Sequence, residues 1–419
     1  MMKTICKFGA IFLAVCPALS AQVAPGATAG NADFHYAFRY SQSADFGGGL
    51  GDWQTINPSA ELDYSNGSGR HPFTAGYTGG YLSTVEGPSY GNGFFHRLLL
   101  SQGLVWPKSN LVVSDNVSYL PEAPETGFSG VPGTGEPIGV PAPPSSQSIL
   151  TVNTHVVENT VNGNFSRILN FATSLSFAAS SNILRYPDGN GLNTNGLMAN
   201  GGLNYRVNAR NTFSAQYLYS QFSYPDYNYS FSTSSAMFGY QRGWTHSLSS
   251  TVSIGPEWIG GSNNSSISIP SSTTISAQAG VNYQLRSLSA SLGYSRGITG
   301  GSGYLFGAET DSVFATLSRV FDRKLNVGLV GGYMRNTELG STAAASGTTT
   351  PGIGGNETID GEYGGMQASR QLGRYLGVFA NYTASTQSYP GSLPNNVLNE
   401  LWQSVSFGLS YSRETNPSR

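Results

Sequence analysis

Residues 274–285 read TISAQAGVNYQL, and this segment divides into two sets by odd and even position. The odd positions are apolar, and they are Ile275, Ala277, Ala279, Val281, Tyr283 and Leu285. The even positions are small or polar, and they are Thr274, Ser276, Gln278, Gly280, Asn282 and Gln284. Successive side chains of a β-strand point to opposite faces, so this period of two predicts a strand with one apolar and one polar face.

The same alternation recurs along most of the chain. It is clear in residues 203–208, 288–294, 325–329 and 405–411. Rows of Ser, Gly, Asn and Gln would be unusual in a packed protein core. Lipid on one face and water on the other accounts for both faces at once, so the pattern predicts an all-β, transmembrane, antiparallel up-and-down β-barrel.

Turn signals predict how many strands the barrel has. Short turns alternate with longer segments rich in Gly, Ser, Asn and Pro, as expected for short periplasmic turns and long extracellular loops. Counting between them gives about 18 strands within residues 34–413, for example 34–42 and 288–299. Sixteen strands stays open as an alternative, because the first hairpin has the weakest pattern.

The N-terminal segment has the features of a signal peptide. Lys3 and Lys7 precede an apolar run, and Ala18, Ser20 and Ala21 offer a cleavage site, which predicts a signal peptide over residues 1–21. The alternative is a lipoprotein signal ending at Cys16, which the bulky Val15 disfavours. Residues 22–33 are then a short N-terminal extension, and residues 414–419 a C-terminal tail.

Composition excludes several classes of function. A net charge of -2 with only 11% charged residues gives no basic surface for nucleic acid. Both cysteines, Cys6 and Cys16, lie in the predicted signal peptide, so the mature chain has no thiol chemistry. The five histidines show no metal-ligand spacing along the chain, and GPSYG at 87–91 lacks the strand and helix that a nucleophile elbow needs. We therefore predict no enzyme, no cofactor and no metal.

Two groups of residues are candidates for lining the channel. The first lies on the polar parity of predicted strands and consists of Arg39, Glu158, Arg206, Glu257, Gln278 and Asn282. The second is a Pro- and Gly-rich loop, 120–148, which carries Glu122, Glu125 and Glu136 and has no Lys or Arg. If this loop folds inward, its carboxylates would face wall arginines such as Arg39 and Arg206 and form a charged constriction. The alternatives are that the wall residues only solvate the lumen and that the loop is an ordinary exposed one.

Asp115 conflicts with the pattern. It shares its parity with the apolar residues Leu111, Val113 and Val117, where a carboxylate would face lipid. Either a bulge that turns the side chain or a position near the rim would remove the conflict.

In architecture the chain resembles the porin-like outer-membrane β-barrel proteins of Gram-negative bacteria, particularly those of acidobacteria. The most recognisable stretch is SDNVSYLP at 114–121 with the Pro-Gly loop after it. The last strand resembles a barrel-assembly signal at Gly408 and Tyr411, but it departs from that signal at Arg413.

This resemblance implies an outer-membrane channel for passive diffusion of small hydrophilic solutes. Its partners would be outer-membrane lipid and lipopolysaccharide, the barrel-assembly machinery and the solutes themselves, and a homo-oligomer is compatible with it. Three alternatives stay open, namely a non-conducting scaffold or adhesion barrel with a plugged lumen, a membrane-embedded hydrolase, and a soluble propeller or sandwich. The last would bury both faces of most strands, contrary to the polar parity.

We predict that deleting residues 127–141 widens the pore and raises its single-channel conductance in a planar bilayer, because the deletion removes an inward-folded loop. A conductance equal to that of the full chain would reject an inward-folded loop at this position.

Overall fold

The computed structural model describes residues 33–47, 52–67, 69–87, 92–122, 154–189, 191–263, 267–301, 305–322, 324–339, 341–342, 358–388 and 401–414. Its strands run antiparallel to their neighbours in a sheet of 18. The strands are β1 Asp33–Gly47, β2 Trp53–Asn66, β3 Phe73–Glu86, β4 Gly93–Val105, β5 Ser109–Glu122, β6 Thr154–Ile168, β7 Thr173–Arg185, β8 Thr194–Asn208, β9 Asn211–Tyr224, β10 Tyr229–Gly243, β11 Leu248–Gly260, β14 Ser272–Gln284, β15 Leu288–Thr299, β16 Ala308–Phe321, β17 Leu325–Glu338, β19 Thr358–Gln371, β20 Leu376–Ser388 and β21 Trp402–Glu414.

The sheet closes on itself. The first strand β1 pairs with β2 on one side and with the last strand β21 on the other, in a register that runs from His35 opposite Glu414 to Gly47 opposite Trp402. This closure leaves no edge strand and makes the sheet a barrel. The predicted fold and its count of 18 strands are therefore confirmed.

Three short strands lie outside the barrel wall and were not predicted. They are β12 Ser262–Asn263, β13 Ile267–Ile269 and β18 Ser341–Thr342, and they form a small sheet between two loops. A single turn of 3-10 helix, Pro225–Tyr227, connects β9 to β10. In the described part of the chain, no helix has both the length and the hydropathy to cross a membrane.

The two ends of the barrel differ in the length of their connections. At one end the connections are short, for example Trp106 to Lys108 between β4 and β5 and Ala209 to Arg210 between β8 and β9. We call this the turn end. The opposite end, the loop end, has most of the longer connections, including those between β11 and β14 and between β15 and β16.

The outer face of the wall is apolar. Phe38 in β1, Phe238 in β10 and Phe407 in β21 are each more than half exposed, and they lie on the parity opposite to the buried residues of their strands. Side chains of this size exposed in rows around a barrel are typical of a surface that contacts lipid.

Aromatic and cationic side chains gather on the outer surface at the turn end. Trp106 and Phe171 lie exposed in short turns. The guanidinium of Arg242 lies 4.1 Å from the ring centroid of Trp244, and that of Arg374 lies 5.4 Å from the ring of Tyr375. Rings of this type prefer the boundary between hydrocarbon and headgroups, so they indicate one edge of a membrane.

A second aromatic row lies on the outer face toward the loop end. The rings of Phe94, His96, Tyr119 and His155 stack one after another, with centroids 5.9 to 6.5 Å apart.

The last ring of this row contacts a loop carboxylate. The ring Nδ1 of His155 lies 2.5 Å from the carboxylate of Asp188 in the loop that follows β7. Burial raises the pKa of Asp188, but the hydrogen bonds from the side chain and backbone N–H of His155 outweigh burial and hold that pKa below its usual value.

Charged side chains replace the apolar ones on the outer face near the loop end of β15 to β19. Arg296, Asp311, Arg335 and Asp360 lie opposite one another on four adjacent strands, with alternating sign. Arg296 binds Asp311 at 2.8 Å and also Glu309 at 2.7 Å. We call these four residues the outer charge row, and they mark where the apolar surface of these strands ends.

Asp115 lies on the outer parity, and neither predicted remedy applies to it. The register of β5 with β4 and with β6 runs unbroken past Asp115, so no bulge turns the side chain inward, and the residue lies in the middle of its strand. Instead, the side-chain amide of Asn159 donates a 2.6 Å hydrogen bond to the carboxylate. One polar partner on the adjacent strand thus lowers the cost of exposing this group to lipid.

We predict that Ile254→Arg destabilises the barrel by about 2–4 kcal/mol, because the half-exposed Ile254 lies midway along β11 on the outer face, where arginine would enter hydrocarbon. Ser253→Arg is the matched control, since the neighbouring residue lies on the inner parity. Reversible urea unfolding in lipid vesicles measures both. Equal losses for the two variants would contradict the assignment of the faces.

Candidate functional site: the lumen and its constriction

The interior of the barrel is identified by contacts between distant strands. Val156 of β6, Ala308 of β16 and Ile359 of β19 belong to one buried cluster, although their strands lie far apart in the order of the sheet. Such residues meet only inside the barrel, so their parity faces the lumen. Residues paired on neighbouring strands point to the same face, so the strand registers identify the lumen-facing residues of the remaining strands.

The six wall residues named from the sequence lie on the inner parity, but the structure distributes them over five strands and does not bring them together. Arg39 pairs with Glu61 at 2.5 Å. Glu158 accepts a 2.8 Å hydrogen bond from Asn182, and Arg206 donates to the backbone oxygen of Phe171 in a turn. Gln278 and Asn282 lie on β14, and Asn282 is exposed.

Glu257 is the most enclosed of the six. It is 3% exposed, and its carboxylate bonds to the side chain of Thr233 and to the backbone N–H of Ile298. The β14–β15 ladder ends at Ala277 and Arg296, so Ile298 has no backbone partner on β14. Glu257 therefore bridges the wall where the backbone ladder stops.

The predicted constriction loop, 120–148, starts later in the structure, because residues 120–122 are the end of β5 and pair with β6. The side chain of Glu122 and residues 123–148, with Glu125 and Glu136, lie outside the described residues.

The inner wall is covered at one end and open at the other. Toward the loop end its polar side chains are buried, among them Ser43, Thr55, Thr233, Thr310, Ser385 and Ser404. Toward the turn end its side chains are exposed, among them Arg206, Gln241, Asn282 and Gln284. The accessible lumen is therefore wide at the turn end and narrows toward the loop end.

The connection between β15 and β16 contributes to this narrowing. Its Leu305 and Phe306 are 0% and 1% exposed, and they join two apolar clusters on the inner face. Leu305 belongs with Val156, Leu184 and Tyr186 of the β6–β7 side, which lies across the lumen. The described part of this connection, residues 300–301 and 305–307, thus turns inward instead of extending away from the barrel.

An aromatic group holds the loop in place. The Phe306 ring lies 5.2 Å from Tyr224 and 5.0 Å from Tyr227, edge to face in both cases, and the Tyr224 hydroxyl donates to the backbone oxygen of Gly300 at 3.0 Å. Gly307 ends the loop with a φ of +78°, and a Cβ there would lie 2.7 Å from the ring of Phe231. Only glycine combines this conformation with this close approach.

The inward position of Leu305 and Phe306 is not evident from the sequence, because residues 300–307 look like one more glycine-rich external connection. The available signal was the apolar pair Leu305 and Phe306 among glycines, since two large apolar side chains in an exposed loop are unfavourable. The tyrosines that contact Phe306, around the 3-10 helix, lie some 80 residues away in the chain. The sequence alone therefore does not show that they meet.

The chain was compared with protein-family models, curated proteins and solved structures. No protein-family model matches the chain, and no curated protein matches it. Among solved structures, the chain is similar to OccK2 (OpdF) of Pseudomonas aeruginosa, with 12% identity and a TM-score of 0.46 over 92% of this chain and 98% of that one. OccK2 has also been solved in complex with glucuronate.

Another similar structure is OccAB4 of Acinetobacter baumannii, with 9% identity and a TM-score of 0.45 over 92% of this chain and 99% of that one. Likeness at this level carries no argument about activity. The closed register and the two faces of the wall define this chain by themselves as a large antiparallel barrel with a polar interior.

We predict that Ala308→Cys is protected from a hydrophilic maleimide and that adding Leu305→Ala and Phe306→Ala exposes it. Ala308 is 0% exposed and lies in the cluster that Leu305 completes. Asn282→Cys, on the open part of the inner wall, is the control and reacts in both backgrounds. Rapid labelling of Ala308→Cys in the unmodified loop would contradict the inward fold.

Proposed function

We propose that this protein is a channel for passive diffusion of small hydrophilic solutes across a bacterial outer membrane. The observation that carries the proposal is the closed wall with an apolar outer face and a polar inner face. A barrel of this strand number is wide enough to leave an aqueous path, and the polar inner face keeps that path hydrated.

The location follows from the same argument. Residues 1–21 direct export, the barrel-assembly machinery inserts the folded wall, and outer-membrane lipid and lipopolysaccharide surround it. The turn end then faces the periplasm and the loop end the exterior. The acidobacterial affiliation and a homo-oligomeric state remain predictions from the sequence resemblance.

The narrowing at the loop end supports a size limit for solutes. The inward-folded β15–β16 loop places Leu305 and Phe306 across the lumen, so a solute entering from the exterior meets this segment before the wider part of the barrel. Solute size is then selected near the exterior, and the wide turn end offers little further resistance.

Charge on the wall supports a preference for cations. Among the described residues the inner parity carries the carboxyl groups of Asp33, Asp45, Glu61, Asp63, Glu158, Glu257 and Glu338, against the guanidinium groups of Arg39, Arg97 and Arg206. Rings of Asp and Glu favour cation passage. We therefore expect K⁺ to permeate more easily than Cl⁻.

A second candidate function is a non-conducting surface scaffold. The burial of inner-wall side chains at the loop end favours it, because a fully closed mouth would bury those same groups. Conductance separates the two functions.

The test is single-channel recording in planar bilayers. For the channel we expect discrete, ohmic steps, a reversal potential that favours K⁺ in a KCl gradient, and smaller steps when neutral sugars of increasing size fill the pore. Phe306→Ala should raise the conductance, whereas Phe213→Ala on the outer face should leave it unchanged. A well-folded protein that inserts and carries no current would exclude the channel and support the scaffold.

A further inference from the structure

A group of metal-binding side chains lies on the inner wall near the turn end. Register places His35 opposite Asp63 and Ala37 opposite Glu61, so the side chains of His35, Glu61 and Asp63 share one face of the β1–β2 hairpin. Their candidate ligand atoms all lie within 4.8 Å of one another. In sequence His35 lies more than 20 residues from Glu61 and Asp63, which explains why a search for linear spacing does not find the group.

The charges in this group are not balanced. The Glu61 and Asp63 carboxyl groups lie close together on the same face of β2, with oxygens within 4.8 Å of each other. Two carboxylates this close repel unless a proton or a cation lies between them. Arg39 lies against Oε2 of Glu61, and with both carboxylates ionised and His35 neutral the four side chains carry a net charge of -1.

A glycine on the neighbouring strand makes room for the Asp63 side chain. A Cβ on Gly76 would lie 2.8 Å from Oδ1 of Asp63, so glycine at this position lets the carboxylate lie against the wall of β3. The side chains of His35 and Asp63 are 32% and 43% exposed, which leaves the group accessible from the lumen.

The donor set and its distances suit a transition metal. One imidazole nitrogen and two carboxylate oxygens are ligands that Zn²⁺ accepts, with a fourth position left for water. Adjacent ligands around tetrahedral zinc lie about 3.3 Å apart when metal–ligand distances are about 2.0–2.2 Å. Nδ1 of His35 and Oδ2 of Asp63 are already 3.3 Å apart.

We propose that His35, Glu61 and Asp63 form a Zn²⁺ site on the channel wall near its periplasmic opening. Strands hold all three ligands, and their ligand atoms already lie within 4.8 Å of one another, so the geometry is largely preformed. Bound Zn²⁺ would change the local net charge from -1 to +1 where cations enter or leave the lumen. The site does not depend on whether the barrel conducts.

The test is isothermal titration of the full mature chain in detergent with ZnCl₂, with MgCl₂ as a parallel titrant. We expect one zinc per chain and no comparable magnesium binding, because the imidazole favours the transition metal. His35→Ala and the isosteric Asp63→Asn should each weaken zinc binding at least tenfold. His246→Ala, in an exposed turn, is the matched control and should bind as the unmodified chain does.

A second measurement keeps the proposal falsifiable if a variant alters folding. Co²⁺ added to the unmodified chain should give visible absorption bands of a nitrogen- and oxygen-ligated tetrahedral site, and stoichiometric ZnCl₂ should abolish them. Absence of zinc binding by the unmodified chain, or undiminished binding by a folded His35→Ala variant, would overturn the site. Equal affinity for magnesium would show a carboxylate site without the histidine and would equally overturn it.

Discussion

The structure depends on one constraint, which is that a backbone exposed to lipid must satisfy all its hydrogen bonds within the wall. The pairing of β1 with β21 meets this constraint, since it removes the two edges that an open sheet would have. Closure explains why the antiparallel registers continue around all 18 strands, and why irregular segments are confined to the two ends. It also separates two tasks, because the wall supplies stability while the connections at the loop end are free to shape the opening.

The alternation of side chains gives the two faces of this wall different chemistry. On the outer face, each apolar residue matches the lipid, and the exceptions are balanced locally, as Asn159 balances Asp115. On the inner face, the same alternation places polar groups from neighbouring strands side by side. The Arg39–Glu61 pair and the nearby His35 and Asp63 arise in this way from register alone.

How much could be predicted from sequence depends on the range of the interactions. The predicted strand 288–299 agrees with β15, Leu288–Thr299, because both its alternation and its turns are local signals. The predicted strand 34–42 stops short of Gly47, since Ser43 and Asp45 on the inner side look like loop residues until β2 and β21 flank them. The inward fold of the β15–β16 loop and the meeting of His35 with Asp63 depend on partners distant in sequence. Neither contact can be predicted from composition or from the alternation of apolar and polar residues.

The outer charge row fixes how deeply the barrel is immersed. Arg335 lies ten residues after Leu325 in β17, which corresponds to a height of about 25 Å for a strand inclined at about 40°. Moving the barrel by one residue pair in the direction of its turn end would bring two arginines and two aspartates into hydrocarbon. Moving the barrel in the opposite direction would displace the aromatic side chains of the turn end from the boundary between hydrocarbon and headgroups. The barrel therefore has one vertical position in the bilayer, matched to a thin membrane.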